Sequence, residues 1–181
     1  MGKCLLVILL CLSAARSDAQ NKRVNSVNSS IAELNNLDSL EQSLVTKKDD
    51  TSKAILLGKL CYSYAFNQPE KGLAFGHKGI QLSQKLGYQW GLAYSTQSLS
   101  MVLWSLGDYN KSLQYGLDAL YLFEALKDQE RIGFTYLILS NIYRETGDYE
   151  RALTNAYKGR SIYEPLNLSL IIPDADRKSV V

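Results

Sequence analysis

Catalytic triads and metal sites need imidazole, thiol or carboxylate groups converging on one point. The chain supplies few of them: one histidine, His77, and three cysteines, Cys4, Cys11 and Cys61. His77 follows Gly76 in an amphipathic stretch and reads as a surface or groove residue rather than a general base. Cys61 lies in an apolar stretch, where a free cysteine ordinarily acts as a small buried hydrophobe. The paired acids Asp49 and Asp50 stand at a helix start, where capping and the helix dipole account for them. Gly72, Gly76 and Gly79 could in principle cradle a phosphate. Their spacings of four and three belong to one face of a helix, however, no strand precedes them, and no Gly-Lys-Ser or Gly-Lys-Thr run accompanies them. The residues therefore point away from an enzyme and toward no cofactor and no metal.

What must position these groups is helical. The 181 residues are 46% hydrophobic and 21% charged, which suits one folded domain rather than a disordered tail. The formal charge of +2 is too small to favour a nucleic-acid partner. Only three prolines interrupt a chain rich in Leu, Ala, Gln, Lys and Glu, so the fold class is all-α.

The amino-terminal residues form a separate piece. Lys3 precedes an unbroken apolar run from Cys4 to Leu12, and Ser17-Asp18-Ala19 offers small side chains at the positions a signal peptidase inspects. The run is far shorter than the roughly 20 residues that span a bilayer. Residues 1–19 are thus expected to be a cleaved signal peptide and the mature chain to be exported, to the periplasm or the outer side of an inner membrane. Cleavage leaves Cys61 alone, with no pair for an internal disulfide. Residues 20–29 read as a polar, flexible lead-in, and residues 30–50 as a capping helix with Ile31, Leu34, Leu37, Leu40 and Leu44 on one face.

Beyond it the chain repeats. Gly107-Asp108-Tyr109 returns forty positions later as Gly147-Asp148-Tyr149, and Leu99-Ser100 returns as Leu139-Ser140. Leu73, Leu113 and Leu153 fall in one column, and Leu86, Leu126 and Leu166 in another. Gly72, Gly76 and Gly79 correspond to Ser112, Gly116 and Ala119, then to Ala152, Ala156 and Gly159, so each unit carries a stripe of small side chains that lets a neighbouring helix approach closely. Gly107 and Gly147 suit the left-handed stop of one helix, while Asp108 and Asp148 suit the cap of the next. In the first unit Asn67-Gln68-Pro69 takes the same place, with proline in a first helical turn. The pattern predicts helices over 30–46, 52–66, 69–86, 89–106, 109–126, 129–146 and 149–163.

Leu99-Ser100 and Leu139-Ser140 with Leu103 or Tyr143 three residues on, then Gly-Asp-Tyr, then a helix rich in small residues, resemble tetratricopeptide repeats. The familiar unit is about 34 residues, so this is a long-period form. The resemblance implies a right-handed α-solenoid of stacked antiparallel helix pairs, with three hairpin units across residues 51–166 and a concave groove that binds protein or peptide. Projecting the family's groove positions selects Tyr94, Gln97, Met101 and Trp104 in the second unit, and Phe134, Leu137, Asn141 and Arg144 in the third. The lysines and arginine of the family's carboxylate clamp would fall at Gln97, Tyr94 and Leu137, so that clamp is absent.

The order of signal peptide, leading helix and long repeats is similar to the extracytoplasmic front of Bacteroidota-type sensor histidine kinases and transcriptional regulators. That implies a sensory input role, with membrane tethering through a continuation of the chain. Two other roles stay open: a structural repeat that self-associates, and a fragment of an enzyme whose catalytic part lies elsewhere. Residues 167–175 read as the start of a further, truncated repeat. Residues 176–181, Asp-Arg-Lys-Ser-Val-Val, equal the in-frame translation of a common sequencing adapter and are expected to be an artefact.

Overall fold

The computed structural model describes residues 37–165. The expected signal peptide, lead-in, first residues of the capping helix, truncated repeat and adapter-like tail lie outside them. The chain divides into two units, Met1–Val45 and Thr46–Val181. In the first, the described residues, 37–45, all belong to helix α1 (residues 37–46), in which Leu37 is buried and Ser43 Oγ donates to the Leu40 carbonyl at 2.7 Å.

The second unit holds α2 (Thr51–Tyr64), α3 (Pro69–Leu86), α4 (Gln89–Ser105), α5 (Tyr109–Leu126), α6 (Gln129–Glu145) and α7 (Tyr149–Tyr163). Every regular element among the described residues is a helix. The bounds agree with the pattern to within two residues; α2 stops earliest, because the Ala65 N–H turns back to the Tyr62 carbonyl and tightens the last turn.

The turns explain why the helices break where they do. Asp50, Asp108, Asp128 and Asp148 each accept the backbone N–H three residues on, from Lys53, Lys111, Arg131 and Arg151. Such a cap satisfies a donor the helix itself cannot. At the other ends Gly87, Gly107 and Gly147 sit at φ of 63°, 78° and 80°, and the N–H after each returns to a carbonyl five residues back. Lys127 holds the equivalent place before α6 at φ 56°, a left-handed conformation that costs a side chain about 1–2 kcal/mol.

Consecutive helices pair: α2 with α3, α4 with α5, and α6 with α7. The three leading helices stack, α2 on α4 and α4 on α6, whereas no Cα of α3 comes within 8 Å of α5, nor any of α5 within 8 Å of α7. The leading helices thus form the inner side of the stack and the trailing ones splay on the outer side.

The small-residue stripe is the contact surface of each trailing helix. A Cβ on Gly76 would lie 2.5 Å from Leu99 Cγ and Cδ2 and 2.7 Å from Cys61 Sγ; one on Gly116 would lie 2.9 Å from Leu139 Cδ2. The recurring serine has a reason too. Ser100 Oγ and Ser140 Oγ donate to the carbonyls of Ser112 and Ala152, both at 2.8 Å, tying the two helices of a hairpin together.

Helix α4, clasped by α2, α3, α5 and α6, is buried almost throughout. Its hydroxyls are returned to backbone carbonyls: Thr96 to Leu92, Ser98 to Tyr94 and Ser100 to Ser112. Ser95 Oγ has no partner; the residue lies against Gly58 and Gly79, so its small volume accounts for its place. Leu99, Val102, Leu139 and Ile142 form the centre of the core with Cys61 and Met101. Full burial of one such aliphatic side chain contributes about 2 kcal/mol.

Candidate functional site

A cavity of about 260 Å³ opens on the inner side, lined by Tyr62 of α2, Tyr94 of α4, Glu130, Arg131 and Phe134 of α6, and Tyr163 at the end of α7. Helices α2 and α6 have no Cα pair within 8 Å, yet the Tyr62 and Phe134 rings meet across α4 with centroids 6.2 Å apart. Curvature of the stack, rather than any single hairpin, therefore makes this cavity.

Arg131 occupies one wall. Its guanidinium carbon lies 4.7 Å from the Tyr94 ring centre and 5.8 Å from that of Trp90, and these two rings stack at 5.1 Å. Arg131 Nη1 donates to Gln97 Oε1 at 3.3 Å. Gln97 Nε2 in turn donates to Thr135 Oγ1 at 2.6 Å and to the Arg131 carbonyl at 3.2 Å. Asp128 fixes the base of the site, accepting from the Arg131 backbone N–H at 3.1 Å and from the Trp90 indole N–H at 2.9 Å. No ion pair of Arg131 occurs among the described residues.

Tyr163 closes the far wall by donating from its hydroxyl to the Glu130 carbonyl at 3.1 Å; burial pushes its phenol up to about 12. Burial also raises Tyr94, against the opposing field of Arg131. Both phenols therefore stay neutral near pH 7. Four of the six lining side chains are aromatic, and the two charged ones are Arg131, held against the rings, and Glu130, exposed to solvent at the rim.

Of the eight residues that sequence reasoning projected onto a groove, the cavity gathers Tyr94 and Phe134. Gln97 is only 1% exposed, and its amide is spent on the α4–α6 junction. Met101 lies in the core, and Leu137 turns toward α7, where its Cδ2 sits against Gly159. Trp104 is half-buried and meets Phe66 edge-on at 5.7 Å. Asn141 is half-buried, and Arg144 is exposed and pairs with Glu145 at 3.1 Å. Tyr62, Glu130, Arg131 and Tyr163 were not anticipated. Arg131 aligns with Gly91 and Tyr62 with Val102 in the forty-residue register, so no repeating column marks these two, whereas Tyr163 shares an aromatic column with Phe123. The aromatic density of Tyr88, Trp90 and Tyr94 was a further signal.

His77 is exposed on α3, away from these walls. Cys61 is buried, and burial pushes its thiol up to about 12. Among the described residues no group of three His, Cys, Asp or Glu side chains could hold a metal ion, and no helix is long and apolar enough to cross a membrane.

No curated protein matches the chain. Residues 92–164, from the second residue after Trp90 in α4 to just beyond α7, match the family model of the tetratricopeptide repeat. This part of the chain is a tetratricopeptide-repeat region, a non-catalytic helical scaffold of the kind that generally mediates protein binding.

Proposed function

We propose that the chain is a protein- and peptide-binding scaffold, not an enzyme, whose binding surface is the inner side of the stack around the Arg131 cavity. The observation that carries this reading is the cavity itself: aromatic side chains from three hairpins converge on it without filling it. Aromatic residues and arginine are the types that most often anchor a protein interface. Phe66, 60% exposed in the turn after α2, and Trp104 of α4 add a further apolar contact at the ends of these two leading helices.

The place of action is proposed to be outside the cytoplasm, as the sensory input part of a membrane signalling protein. Support comes from the apolar run at Cys4 to Leu12, the small residues Ser17 and Ala19, and the similarity of the overall order to sensor proteins. Fusing residues 1–19 to a reporter enzyme active only after export tests the location; a reporter that stays inactive ends that part of the proposal.

Selecting a displayed peptide library on the immobilised full chain tests the binding role. Peptides should be captured, and Tyr62→Ala and Phe134→Ala should each lose capture while retaining helical circular dichroism. Capture of nothing, or capture indifferent to both substitutions, refutes the assignment.

A second reading, self-association, has its own observation. Tyr149, Leu153 and Tyr157 on α7 are 71%, 58% and 61% exposed, whereas Tyr109 and Leu113, forty positions earlier, are half covered. Sedimentation showing mass that rises with concentration and falls on Leu153→Asp would favour this reading.

A further inference from the structure

The geometry points to a specific occupant of the cavity: the carboxylate side chain of an acidic residue within an extended peptide, flanked by an apolar or aromatic residue. This inference rests on the peptide-binding reading and names the chemistry of its ligand.

Four observations combine. First, Arg131 is held before any ligand arrives. The Tyr94 and Trp90 rings and the Gln97 carbonyl orient its planar guanidinium, so little side-chain freedom remains to be lost on binding. Second, among the described residues only one of its guanidinium N–H donors is used, by Gln97, and no carboxylate pairs with it. Asp128, three residues away, already accepts from the Arg131 backbone and the Trp90 indole. Third, the remaining walls, Tyr62, Phe134 and Tyr163, are aromatic. A charged hydrogen bond is stronger in such surroundings than in water, and guanidinium and carboxylate can match two donors to two acceptors. Fourth, about 260 Å³ is small beside the roughly 300–1,000 Å³ of sites for small molecules and suits one or two side chains.

Glu130 raises the opposite case, since a carboxylate beside aromatic rings could attract a lysine. Glu130 is exposed to solvent, and it is its backbone carbonyl that is engaged, by Tyr163. The ring faces that would hold an ammonium on Tyr94 and Trp90 already carry Arg131. The fixed, partly sheltered cation outweighs the solvated anion.

The test uses the full chain and three peptides, each N-acetylated and C-amidated so that no terminal charge contributes: Ala-Ala-Phe-Glu-Phe-Ala-Ala and its Gln and Lys counterparts. Titration calorimetry, with the Arg131 Nε–H and Gln97 amide signals followed by NMR, should show the Glu peptide binding about tenfold or more tighter than the Gln peptide, and the Lys peptide weakest. Arg131→Gln should erase the Glu-over-Gln preference, and Arg131→Lys should keep part of it. Equal binding of the Glu and Gln peptides to the unaltered chain, preference for Lys, or a preference that survives Arg131→Gln overturns the inference. So does a Gln peptide with a free carboxyl terminus that matches the Glu peptide, which would assign Arg131 to chain ends instead. Should none of these peptides bind while library capture through Tyr62 and Phe134 persists, the acidic ligand is refuted and the scaffold reading stands. If library capture fails too, both fall.

Discussion

Replacing Gly76 with alanine sets two effects of opposite sign against each other. Alanine is favoured over glycine in a helix interior by about 1 kcal/mol, and Gly76 lies mid-way along α3. Against this, the added Cβ would stand 2.5 Å from two carbons of Leu99 and 2.7 Å from Cys61 Sγ. Ordinary contact begins near 3.4 Å, so each neighbour must yield by most of an ångström. Neither has room, because Leu99 and Cys61 are both 0% exposed. The close atoms of Leu99 include its branching carbon, which moves only if the whole side chain or the backbone moves. Overpacking of this kind costs about 1–3 kcal/mol, and contact with two leading helices at once puts Gly76 at the upper end. The net expectation is destabilisation by about 2 kcal/mol, or a melting temperature lower by roughly 4–8 °C for a chain of this size.

Gly116 is the internal control, since its Cβ would meet the far end of Leu139 at 2.9 Å and Ser100 Oγ at 3.1 Å. Gly116→Ala should cost less than half as much. Combining Gly76→Ala with Leu99→Ala should cost less than the sum of the two by about 1 kcal/mol or more, because the cavity made by one receives the methyl added by the other. Reversible urea unfolding followed by helical circular dichroism measures the parent and all four variants. A Gly76→Ala chain as stable as the parent, or a Gly116→Ala chain less stable than Gly76→Ala, would refute close helix approach as the reason for the stripe.

The other expectations concern the turns and the buried thiol. The Lys111 side chain, then its backbone N–H, hold Asp108 below its ordinary 3.8; Ser52 and Lys53 do the same for Asp50, and Lys53 and Lys85 for Asp49. Because these folded values are depressed, their contribution is complete above the unfolded carboxylate value and is lost as pH falls through the folded one. The urea midpoint should hold level from neutrality to about pH 5 and drop below about pH 4; Asp108→Asn should soften the drop, and a midpoint that rises on acidification would contradict the assignment. Lys127→Gly should stabilise by about 1 kcal/mol by relieving the left-handed backbone before α6, as a higher urea midpoint would show. Cys61, buried and with its thiol pushed up to about 12, should resist a thiol reagent at mildly alkaline pH until urea opens the core; immediate labelling of the native chain would count against that burial.

The helices were legible because their signals are local. A glycine followed by an aspartate stops one helix and caps the next whatever else surrounds it, and the forty-residue return of that pair shows where the second and third hairpins turn. The small-residue stripe was legible for the same reason, since spacings of four and three fix a face. The cavity was not. Gln97 and Met101 occupy plausible groove positions on an isolated helix, but α4 is enclosed by four neighbours and both side chains are drawn inward. Tyr62 and Phe134, 72 positions apart, meet only because the stack curves enough for the first hairpin to reach the third over α4. No single repeat encodes that curvature. Arg131 was hidden for a related reason: its partners Trp90, Tyr94 and Gln97 come from another hairpin, while its own register offers only Thr51 and Gly91 for comparison.

The shortness of the turns has a consequence for degradation. Between Pro69 and Tyr163 the breaks are residues 87–88, 106–108, 127–128 and 146–148, each closed by a returned N–H or an aspartate cap. A protease needs a stretch it can draw out into its own cleft, and exposed loop tips are where it usually finds one. Here none is offered without unwinding helix on either side, so cutting within this span must wait for a hairpin to open, and the nicking rate reports how often it does so.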